Sequence, residues 1–188
     1  MKPRTPYNCL QVVEQLRAFV VLFVLTIIAM AAEQITGAPL RTDAAPFGIV
    51  SFELAGSLPV AQQIIESWGA AGRVYAGLNL GLDFLFIAVY ASCISLGCVI
   101  IARNLARQSA LFASIGVVLA WALLIAALLD CIENYALISL LLGSQQALFA
   151  ALAQACAIPK FAIVGVGIAY VLLGALAAMI FKPRTVTE

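Results

Sequence analysis

Apolar residues run along this chain in long blocks divided by polar stretches. A helix needs roughly 20 mostly apolar residues to cross the hydrocarbon of a bilayer, and residues 17–34, 75–101, 110–134 and 160–181 form blocks of about that length. The pattern predicts an all-α fold, a membrane bundle of four transmembrane helices in which residues 1–188 form a single transmembrane domain.

Between the first two blocks, the outer segment 35–74 is long enough to hold structure of its own. Pro39 and Pro46 break it, and residues 47–55 are apolar around Glu53. Residues 58–68 read as a short amphipathic helix, with Ser57 suited to the N-cap, Pro59 to the first turn and Gly69 to the end. Ile64, Ile65 and Trp68 share one stripe while Gln62, Gln63 and Glu66 face away. That division predicts a helix lying on the membrane interface, anchored by Trp68. The third block continues past Asn134 to Leu142, about 50 Å as one helix. An upright span is shorter, so a break is expected near Gly143, followed by a second outer helix over 144–158 that Pro159 closes. The alternative is a re-entrant hairpin over the same residues. Gly77 with Gly81, and Gly174 with Ala178, have the small-xxx-small spacing that lets helices approach closely, within one chain or in a homo-oligomer.

Composition agrees with the blocks. Of 188 residues, 64% are apolar and 10% charged, against about half and about a quarter in soluble domains. A polar shell cannot be built from so few charges, and the bilayer becomes the expected partner. The net charge of +1, with Lys and Arg scattered, sets nucleic acid aside. The absence of histidine argues against haem and catalytic zinc, and no cofactor is evident. Five cysteines form no C-x-x-C pair and read as small buried residues. The polar first 17 residues do not resemble a signal n-region, so the first apolar block is expected to be retained.

Lys and Arg near a span prefer the cytoplasm. Lys2, Arg4, Arg17, Arg103, Arg107, Lys182 and Arg184 fall on one side, and Arg41, Arg73 and Lys160 on the other. Both termini are therefore expected in the cytoplasm.

Ionisable groups at mid-bilayer cost about 2.5 to 3.5 kcal/mol each, so each needs a reason. Asn79 and Asp83 share a helix face with Tyr90 two turns on, and Asp130, Glu133 and Asn134 share another at i, i+3 and i+4. The orientation brings both faces into the outer half of the bilayer, near Glu33, Glu53 and Lys160. Glu33, Asp43, Glu53, Glu66, Asp83, Asp130 and Glu133 then outnumber the three bases on that side. Carboxylates in such excess must find cations, hold a metal ion or keep protons. In a first reading, they form a buried acidic and amide pocket for a lipid, small amphiphile or cation. Its candidates are Glu53, Asn79, Asp83, Tyr90, Asp130, Glu133, Asn134 and Lys160, with Asp83, Asp130 and Glu133 as oxygen ligands for calcium or magnesium. A second reading makes the chain a structural or accessory membrane subunit whose acids pair with Lys160 and Arg73. A third, a cation- or proton-coupled transporter subunit, meets only Tyr90, Ser92 and Ser95 as polar residues before Arg103. No catalytic residue and no enzymatic activity is assigned.

The strings GIVSFELAGS from Gly48, LGLDFLFIAVY from Leu80 and LLDCIENYAL from Leu128 resemble those of uncharacterised small bacterial four-helix integral membrane proteins. The resemblance implies a bacterial inner-membrane protein and carries no active-site residue with it.

Overall fold

Local chemistry sets the helix boundaries. The backbone N–H of Gln11 donates to Glu14 Oε2 at 2.7 Å, closing the first turn of α1, Val12–Gly37. A 3-10 turn, Ala38–Leu40, follows at Pro39. Gly48, at φ +62°, enters the short helix α2, Ile49–Glu53. Ser57, in the extended conformation, then opens α3, Leu58–Leu105, with Pro59 in its first turn. Ser109 Oγ accepts from the backbone N–H of Phe112 at the start of α4, Ala110–Leu141. Helix α5, Ala147–Ile180, is the last. The computed structural model describes residues 5–106 and 108–180, which are mostly helical with no strand among them. Lys2, Arg4, Arg107, Phe181, Lys182 and Arg184 lie outside the described residues, as does the side chain of Ala178.

Helices α1, α3, α4 and α5 are long and apolar enough to cross a membrane, and they pack as an up-and-down bundle. Neighbours run antiparallel: Arg103 at the end of α3 meets Gln15 at the start of α1, and Tyr170 late in α5 meets Phe112 early in α4. Helix α3 is central, touching all three others, and 61% of its most apolar stretch is buried. The corresponding share is 22% in α4 and α5 and 0% in α1, which lies outside against α3. Gly174 of α5 is buried with its Cα facing Ile101 of α3, so this small residue serves packing within the chain, whereas Gly77 and Gly81 are exposed.

Three sequence expectations need correction. Pro159 does not end a helix: α5 continues through it, so neither a separate helix over 144–158 nor a re-entrant hairpin forms. Proline removes one N–H and crowds the carbonyl four residues back, but packing on both sides of the site holds the axis. Ala150, Ala153 and Ala157 are buried before it and Lys160 after it. Second, the helix of the second block starts directly after Gly69 rather than at residue 75, and α1 reaches Gly37. Third, Trp68 is no interfacial anchor. The predicted helix 58–68 forms, and Gly69 breaks it at φ +59°, ψ −166°, but its apolar stripe faces protein. Ile64, Ile65 and Trp68 join Leu40, Phe52, Leu80, Leu137 and Leu140 in one buried cluster. Trp68 Nε1–H donates to the Leu40 carbonyl at 2.7 Å, and its ring meets Phe52 edge-on.

The expected break at Gly143 is present, at φ +99°. Because α4 runs to Leu141 and α5 begins at Ala147, this hairpin projects beyond the polar residues of the spans. Segment 38–69 wraps the projection as a cap, tied by Gln154 Nε2 to the Leu54 carbonyl at 3.0 Å and by Gln62 to Gln145.

Candidate functional site

Beneath that cap, α2, α3, α4 and α5 each deliver a polar side chain to one place. Asp130 and Glu133, one turn apart on α4, face Lys160 of α5; Tyr90 comes from α3 and Glu53 from the end of α2. All five are buried, Glu133 completely. Lys160 Nζ lies 2.8 Å from Asp130 Oδ1, 2.9 Å from Glu133 Oε2 and 3.8 Å from Glu53 Oε2. The Tyr90 hydroxyl donates to Asp130 Oδ2 at 2.6 Å, so both oxygens of Asp130 are satisfied. Lys160 also lies 4.6 Å from the ring centre of Phe161. Alongside, Asn134 Nδ2 donates to Asp83 Oδ2 at 2.7 Å.

One ammonium cannot neutralise Glu53, Asp83, Asp130 and Glu133. Glu133 Oε1 is buried without a donor among the described residues, and the Glu53 and Glu133 carboxyls both face Lys160 Nζ, at 3.8 and 2.9 Å. Two facing carboxyls attract only when one keeps its proton. Burial pushes the Glu53 carboxyl up from the ordinary 4.5 to about 7; Lys160 works against that rise, while Asp83 and Asp130 add to it.

The structure thus brings together Glu53, Tyr90, Asp130, Glu133 and Lys160, and sets Asp83 with Asn134 beside them. Asn79 belongs to a second network. Its Nδ2 donates to the Glu33 carbonyl at 3.1 Å, to Thr36 Oγ1 at 2.9 Å and to Glu33 Oε2, tying α3 to α1. Arg73 pairs with no acid among the described residues; its Nε donates to the Ile65 carbonyl at 3.3 Å, beside the Gly69 break that frees it. Asp43 and Glu66 are exposed and take no part. The sequence reading missed the Glu33–Asn79 tie, although Glu33 and Thr36 stand three apart on α1, on the face that meets α3. It also missed the Arg103–Gln15 bond at the opposite end, 2.6 Å long.

Among the described residues, no group of three or more His, Cys, Asp or Glu side chains is disposed to hold a metal ion. Lys160 stands in the place that sequence reasoning leaves open for a cation. The network ties four elements together, and a groove lined by Glu33, Asn79 and Arg41 contains none of the five residues gathered at Lys160. Comparison with known protein families, with curated proteins and with solved structures finds no match to this chain.

Proposed function

We propose that this chain is an inner-membrane protein of structural or accessory type, a four-helix scaffold whose extracytoplasmic pole is held in one arrangement by the Lys160 network. Both termini lie in the cytoplasm on this reading, and the cap of residues 38–69 sits at the outer face. The observation that carries it is the position of the Lys160 ammonium, within 2.9 Å of both Asp130 and Glu133 where a bound cation or headgroup would otherwise lie. In hydrocarbon, polar ties between helices are modest singly, about 0.6 to 2 kcal/mol, but a shared ion links α2, α4 and α5 at once. Transport through the bundle finds less support, because few polar residues lie on α3 between Asp83 and Arg103, and one of them, Ser95, already donates its proton to the Ala120 carbonyl at 2.7 Å.

The test is Lys160→Met in the purified full chain. Leaving three buried carboxyls without their cation should lower stability by about 3 to 5 kcal/mol. Unchanged stability together with altered lipid or cation binding would favour a ligand pocket at the cluster instead.

A further inference from the structure

The groove between α1, α2 and α3 is a separate feature, about 550 Å³ in volume. Glu33, Asn79, Gly37, Arg41 and Phe47 are among the residues that line it. Opposite charges share this groove without meeting. Among the described residues Arg41 makes neither an ion pair nor a side-chain hydrogen bond, and Glu33 Oε1 has no donor, its other oxygen being held by Asn79. A Cβ added to Gly48, whose φ is +62°, would lie 3.5 Å from the Gly37 carbonyl and 3.6 Å from the Arg41 side-chain stem, and one added to Gly37 would lie 3.6 Å from Asn79 Nδ2. Apolar surface flanks it, with Phe47 74% exposed and Ile35 73% exposed.

We propose that this groove binds a zwitterionic phospholipid headgroup bearing a primary ammonium, of the phosphatidylethanolamine kind. The ammonium donates to the free oxygen of Glu33, whose carboxyl turns easily about its last bond. The phosphate accepts from the Arg41 guanidinium, a match of planar donor fork to phosphate oxygens. The acyl chains follow the apolar surface of α1. A choline headgroup has a positive charge but no N–H, and a glycerol headgroup has hydroxyl donors but no positive charge, so neither gives Glu33 a charge-assisted hydrogen bond. The site is independent of Lys160.

Detergent-purified full chain, titrated calorimetrically with dihexanoyl phosphatidylethanolamine, phosphatidylcholine and phosphatidylglycerol, tests the assignment. The ethanolamine lipid should bind roughly tenfold tighter than either other, the difference expected from one charge-assisted hydrogen bond. Glu33→Gln should erase that preference, Arg41→Ala should weaken binding of all three lipids alike because each carries the phosphate, and Gly37→Leu should abolish binding. Gly37 has φ −80°, which any residue adopts, so leucine there fills the groove without straining the backbone. Should Glu33→Gln fail to fold, the other two variants decide, since Arg41 is exposed. Equal binding of the three lipids, or affinities unchanged by Arg41→Ala and Gly37→Leu, would overturn the proposal. So would displacement by inorganic phosphate alone, which would mark a simple anion site. Affinity for phosphoethanolamine equal to that for the lipid would equally reject a lipid ligand in favour of a soluble one.

Discussion

Asp130 is the residue on which the network turns, since it receives both the Tyr90 hydroxyl and the Lys160 ammonium. Removing the hydroxyl leaves a buried carboxylate oxygen without its donor. Tyr90→Phe should therefore lower stability by about 1 to 3 kcal/mol, measured by denaturation in detergent. Glu53 makes stability depend on pH. The unfolded chain releases this proton near 4.5 and the folded chain keeps it to about 7, so the contribution of this group is complete below about 4.5 and is lost as pH rises to about 7. Thermal unfolding across that window should show a steeper loss for the wild type than for Glu53→Gln; parallel curves would contradict the assignment. Glu53, Asp130, Glu133 and Lys160 were legible because an ion within an apolar block has few explanations. Asn79 and Arg73 misled because spacing gives the face of a helix but not the neighbour across it. Asn79 shares a face with Asp83, yet α1 rather than α4 answers it.

The same limit explains the helices. Apolar length located the four long apolar helices, and Ser57, Pro59 and Gly69 located the ends of the helix in the cap. Gly69 is strongly specified: a Cβ there meets nothing within 4 Å, so the cost of Gly69→Ala is conformational alone. That variant should lose about 1 to 3 kcal/mol in the same denaturation assay. Pro159 was misleading as a stop signal, since a proline breaks a helix only where nothing else holds the chain on both sides. Pro159→Ala should leave helicity by circular dichroism unchanged, whereas a real helix end at this residue would give a gain. Trp68 carried an ambiguous signal: an amphipathic stripe states that one face is apolar and does not say whether lipid or protein covers it.

Across the whole molecule, the buried charge lies under the cap while the opposite end is held by the Arg103–Gln15 bond and by the Tyr7 hydroxyl donating to the Ser92 carbonyl. Cys9 is the one exposed cysteine, near the start of α1, and it reports the side of the membrane on which that end lies. With the proposed topology, a membrane-impermeant maleimide applied to intact cells should leave Cys9 unlabelled and should label a cysteine placed at Gln145. The reverse pattern would invert the topology and put the cap in the cytoplasm. The central claim is that Lys160 binds the acids of α4 rather than merely lying near them, and a double-mutant cycle measures that coupling directly. Unfolding free energies of the wild type, Lys160→Met, Asp130→Asn and the double variant should show a coupling of at least about 1 kcal/mol, whereas losses that add to within about 0.5 kcal/mol would contradict it.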